Sequence, residues 1–71
     1  MKIDEKIDIA IEYMNRVAMT QGRDWISPTE IGAEINGGHS SVGSPVCKEM
    51  VTRGLAKRND KGHYRLIVLD Y

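Results

Sequence analysis

The chain has 71 residues, 41% of them hydrophobic and 28% charged, with ten lysines and arginines against ten aspartates and glutamates. At this length roughly 60% of the unfolded surface can be buried, so one domain over residues 1–71 with one small core is expected, and a deep substrate pocket is not. A single cysteine excludes a disulfide framework, no apolar run approaches the roughly 18 residues of a membrane span, and Asp4, Glu5 and Asp8 stand where a signal peptide has its apolar stretch, so the expected setting is reduced and cytoplasmic.

The zero net charge hides an asymmetry. Residues 1–36 carry four basic and seven acidic side chains, a net −3, and residues 37–71 carry six and three, a net +3. Such a separation either concentrates positive potential on a face where a polyanion docks, or is a chance sorting of solvated charges.

Ile3, Ile7, Ala10, Ile11, Met14, Val17 and Ala18 recur at steps of three and four, which predicts a helix from about Asp4 to Thr20, closed by Gly22. Ile9 and Tyr13 form a second apolar line off that stripe. They are expected either to join two copies as a homodimer through this helix or to pack against the segment Ile67 to Tyr71. Trp25 is read as an anchor of the small core, with an interface role as the other reading. Ser27, Pro28 and Glu30 then make a capping box with proline at the first helical position, and Ile26 and Ile31 have staple spacing across it, so a second helix starts here and stops at Asn36, Gly37 and Gly38.

Residues 37–44, GGHSSVGS, read as a turn. Ser44 followed by Pro45 repeats the cap and first-position signature, so a third helix is expected over 44–53. Ser41 is the other candidate cap, but it would put Pro45 a turn inside the helix. Val46, Cys47, Met50 and Val51 supply the apolar face of this helix up to Gly54. Leu55 to Arg58 and His63 to Val68 read as two strands joined by a turn over Asn59 to Gly62, a hairpin that pairs at its base with the extended Trp25 and Ile26.

With WISPTEIGAEI, SPVCKEMVTRGLAKR and NDKGHYRL in this order and spacing, the chain resembles the winged helix-turn-helix DNA-binding domains, including small bacterial and phage transcriptional regulators. The resemblance implies an α+β, mostly α fold, a three-helix bundle with a C-terminal β-hairpin wing in the order helix, strand, helix, helix, strand, strand. It also implies a recognition helix in the major groove of double-stranded DNA and a wing on a neighbouring backbone or minor groove. Two departures stand out: the turn over 37–44 is longer than in the compact motif, and residues 45–54 contain neither Asn nor Gln, the usual adenine readers.

Helical rotation supports the same division of labour. If Cys47, Met50 and Val51 face the core, then Pro45, Lys48, Glu49 and Thr52 face outward, with Arg53 near the edge. Glu49 is expected to be solvated or paired within the chain rather than to read cytosine. Ser40, Ser41 and Ser44 lie near the N-terminus of this helix, where hydroxyls and free amides bond phosphate oxygens. Lys57, Arg58, Lys61 and Arg65, with His63 among them, charge the wing over residues 55–68.

Other chemistry is poorly supported. One cysteine with the distant His39 and His63 lacks zinc spacing, and GGHSSVGS lacks the GK[ST] ending of a nucleotide-binding loop. Cys47, Met14, Met19 and Met50 are read as core packing, and no cofactor is expected. The expected function is a non-enzymatic, sequence-specific DNA-binding transcriptional regulator. The other reading is a winged-helix module that binds protein and not DNA.

Overall fold

A computed structural model describes residues 2–36 and 40–67 of the chain. It is α+β and mostly helical. Three helices, α1 (Ile3–Gln21), α2 (Pro28–Asn36) and α3 (Ser40–Thr52), precede a hairpin of β1 (Ala56–Arg58) and β2 (Tyr64–Leu66). No helix among the described residues is long and apolar enough to cross a membrane.

The apolar stripe of α1 buries Ile7, Ala10, Met14, Val17 and Ala18, and Gly22, at φ 67°, donates its amide to the Ala18 carbonyl at 3.2 Å. Lys2 at the N-cap makes no side-chain cap, so Asp4 and Glu5 in the first turn complement the helix dipole instead. Ile9 and Tyr13 are half-buried and packed on the core. Most of the segment proposed to cover them, residues 68–71, lies outside the described residues. Met19, expected in the core, is 63% exposed, because it sits diametrically across α1 from the buried stripe.

At the start of α2 the Glu30 amide donates to Ser27 Oγ at 3.3 Å, and Ile26 and Ile31 are both fully buried across the cap. The return half of the capping box is absent. Glu30 instead accepts from Arg23 Nη2 at 2.7 and 2.8 Å, since a guanidinium makes a stronger, charge-assisted partner than a neutral amide. Ser27→Ala should therefore lower stability by about 1 kcal/mol. Urea unfolding checks this, and an unchanged midpoint would show that the hydroxyl is not a working cap.

The third helix corrects the expected turn. Rather than starting at Ser44, α3 begins at Ser40 and carries Pro45 inside it, leaving only residues 37–39 between α2 and α3. Packing decides the matter. Gly43, Val46, Cys47 and Met50 are buried and Val42 packs on the core, so the apolar period runs back through the glycine-rich stretch. Pro45 removes one amide, whose partner would be the carbonyl of Ser41. Ser41 is exposed, so water can satisfy that carbonyl. Gly43 itself lies where α3 crosses α2: a Cβ there would stand 1.9 Å from the Pro28 carbonyl oxygen and 2.9 Å from the Gly32 nitrogen.

Antiparallel pairing sets Ala56 against Leu66, Lys57 against Arg65 and Arg58 against Tyr64. The expected first strand reduces to one bridge, in which Ile26 and Tyr64 exchange amide-to-carbonyl bonds of 2.8 Å each way. In the turn, Asn59 Oδ1 accepts from the amides of Lys61 and His63 at 3.0 and 2.9 Å, and Gly62 takes the φ of 80° that favours glycine. Ile26, Tyr64, Ala56 and Leu66 seal the core between the hairpin and the helices. Trp25 is half-buried at the rim while Ile26 takes the core position. Cys47 is wholly buried, and desolvation pushes its thiol up to about 12, which leaves it protonated and unreactive.

Candidate nucleic-acid interface

The exposed side of α3 and the hairpin face one another across a groove of about 580 Å³. Ser44, Lys48, Val51 and Thr52 line it from α3, Arg58, Gly62 and Tyr64 from the hairpin, and Pro28 from the first turn of α2. Three local features build it. The last two and a half turns of α3, from Ser44 to Thr52, are held against α2 through Gly43; the Ile26 bridge fixes β2; and Gly54, at φ 76°, reverses the chain so that β1 returns beside α3.

Two cations and the aliphatic hydroxyls of Ser44 and Thr52 line this groove with Tyr64, and no carboxylate does so among the described residues. Neither Lys48 nor Arg58 has an ion-pair partner among the described residues, so their charge is available to an anion. The Thr52 hydroxyl donates to the Lys48 carbonyl at 3.1 Å, which leaves its lone pairs and its methyl group for a ligand.

The other sequence-predicted residues fall into three places. Ser41 and Pro45 are exposed on the N-terminal half of α3, which Ser40 opens, and Lys61 is exposed at the hairpin tip with His63 half-buried beside it. Glu49 and Arg53 are turned toward α1: Arg53 Nη1 lies 2.7 Å from Asp4 and its Nε 3.1 Å from Glu49, so the glutamate is paired within the chain and the arginine is tied to two carboxylates. Lys57 and Arg65 face away from the groove. They are opposite one another on the outer hairpin face, with the Lys57 ammonium and the Arg65 guanidinium each 6.0 Å from the Trp25 ring centroid and Arg65 3.7 Å from Asp24. Strand alternation imposes this, because Arg58 is one residue from Lys57 and must point the other way.

Val51 is the groove residue that sequence reasoning placed elsewhere. The apolar period of α3 places it on the core face, but it is 40% exposed. It lies about 90° around the helix from the centre of the buried set, the position where a stripe becomes a rim. Its adjacency to Lys48 and Thr52 at steps of three and one was the available signal.

No family model, no curated protein and no solved structure matches this chain.

Proposed function

We propose that the chain is a winged-helix DNA-binding protein acting as a transcriptional regulator, with α3 in the major groove of double-stranded DNA and the hairpin as a wing on the phosphate backbone. The observation that carries this reading is the groove between α3 and the hairpin, which combines Lys48, Arg58, Ser44 and Thr52 with no carboxylate. An α-helix fills a major groove, base edges there carry the sequence code, and cations on the adjoining hairpin supply the sequence-independent attraction. Val51 adds an apolar patch suited to a thymine methyl group. The pairing of Glu49 with Arg53 supports the reading, because it neutralises the one carboxylate that α3 carries.

The test is a binding panel of preferred and scrambled duplexes at three salt concentrations. Lys48→Ala and Thr52→Ala should change which duplexes are preferred, since base-edge contacts carry sequence information. Lys61→Ala should weaken all duplexes alike and flatten the slope of log affinity against log salt by roughly one unit for a lost phosphate contact. Should all three bind every duplex as the parent does, the groove is not a DNA surface and the protein-binding reading takes its place.

A further inference from the structure

Two surfaces gather like charges that are balanced only in part on the hairpin and not at all on α1 among the described residues. On the outer hairpin face, Lys57 and Arg65 are directly paired across the strands, an arrangement that disfavours a two-stranded sheet unless something compensates it. The Trp25 ring, 6.0 Å from each cation, compensates in part, and Asp24 reaches only Arg65, at 3.7 Å. On α1, the side opposite the buried stripe carries Glu5, Asp8 and Glu12, all exposed, spaced three and four residues apart. None of the three has an ion-pair partner among the described residues, whereas Asp4 is occupied by Arg53 and Glu34 by Arg16. Like charges at this spacing weaken a helix. Met19, 63% exposed, continues the same line one heptad beyond Glu12.

The two surfaces are complementary in kind as well as in sign. One presents an aromatic ring beside two cations, the other a thioether on a line with carboxylates, and sulfur against an aromatic ring is a favourable contact. We propose that the outer hairpin face around Trp25 docks on the outward face of α1 in a second copy of this chain, head to tail. Lys57 and Arg65 meet Asp8 and Glu12 of the neighbouring copy, and Met19 meets the indole. Because the two patches are different parts of the molecule, the contact is heterologous and leaves one patch free at each end, so it extends into a row rather than stopping at a pair. The α3 groove lies on the other face of the hairpin and stays open in each copy, so the proposal stands apart from the DNA-binding reading. It differs also from a symmetric pair through Ile9 and Tyr13, which are packed on the core beside the Arg16–Glu34 ion pair.

Sedimentation equilibrium of the full chain without DNA tests the proposal. At about 20 mM salt, where charges are little screened, the weight-average mass should rise with concentration past that of a dimer, and at about 0.5 M salt it should return toward the monomer. Two charge-reversed variants then identify the surfaces. Lys57→Glu with Arg65→Glu makes both patches acidic, and Asp8→Lys with Glu12→Lys makes both basic, so each alone should associate more weakly by on the order of tenfold or more. Mixed in equal amounts they regain opposite charges at both contacts, and the mass should recover. Lys57→Glu alone, at an exposed position, carries the same test should the double variant melt early. A wild-type chain that is monomeric at low salt, a salt-independent dimer that grows no further, or a mixture no heavier than its components would each overturn the proposal.

Discussion

Replacing Gly43 with alanine should destabilise the protein by about 3 kcal/mol or more, although alanine is the better helix former by roughly 1 kcal/mol. Two effects of opposite sign compete at this position. Propensity favours the substitution, since Gly43 lies within α3. Packing opposes it, since the new Cβ would stand 1.9 Å from the Pro28 carbonyl oxygen and 2.9 Å from the Gly32 nitrogen. Both are backbone atoms of α2, so no side-chain rotation relieves the overlap and the two helices must move apart. A chain of this size has a total stability of roughly 4–11 kcal/mol, so the loss is a large fraction of it. The melting temperature should fall by about 12–24 °C, measured by circular dichroism. A variant that melts at or above the parent temperature would show that α3 does not cross α2 at this glycine. The same movement would displace Ser44 from Pro28 and widen the groove, so a weakened fold and weakened binding are expected together.

Neutralising two unpaired cations of the hairpin, Arg58→Ala with Lys61→Ala, should lower affinity for any duplex by about 60-fold at 0.1 M salt. Each lost phosphate contact removes close to 0.9 units from the slope of log affinity against log salt, which at 0.1 M corresponds to about eightfold per contact. The slope itself should flatten by roughly two units. Stability should hardly change, because neither side chain has an ion-pair partner among the described residues. Filter binding or fluorescence anisotropy across salt concentrations measures both quantities. If affinity and slope stay at the parental values while the fold is intact, the proposed DNA interface is wrong. Lys57→Ala, on the far face of the hairpin, is the internal comparison and should leave the slope closer to that of the parent.

Several elements were legible from local pattern because their determinants are local. The stripe from Ile7 to Ala18 has only one helical phase that buries it, Gly22 supplies the left-handed cap, and Ser27 with Pro28 marks where α2 begins whatever surrounds it. Asn59 and Gly62 encode the hairpin turn through a side-chain acceptor and a positive φ, both properties of single residues. Rotation about α3 likewise set Ser44, Lys48 and Thr52 on one side, where the groove collects them with Arg58.

What local pattern could not supply was set by neighbours distant in sequence. The start of α3 moved from Ser44 to Ser40 because Gly43 is a contact surface for α2 rather than a helix breaker, and only the crossing of two helices gives a missing side chain that value. Glu30 bonds Arg23 at 2.7 Å in place of its capping partner, and Arg53, expected near the edge of the outward side, is held by Asp4 of α1. The sequence alone determined an acidic first half and a basic second half. Tertiary structure then divided the basic half, since strand alternation turns Arg58 into the groove and Lys57 and Arg65 out beside Trp25. Charge is a property of the residue, but the partner it faces is decided by which surfaces packing brings together.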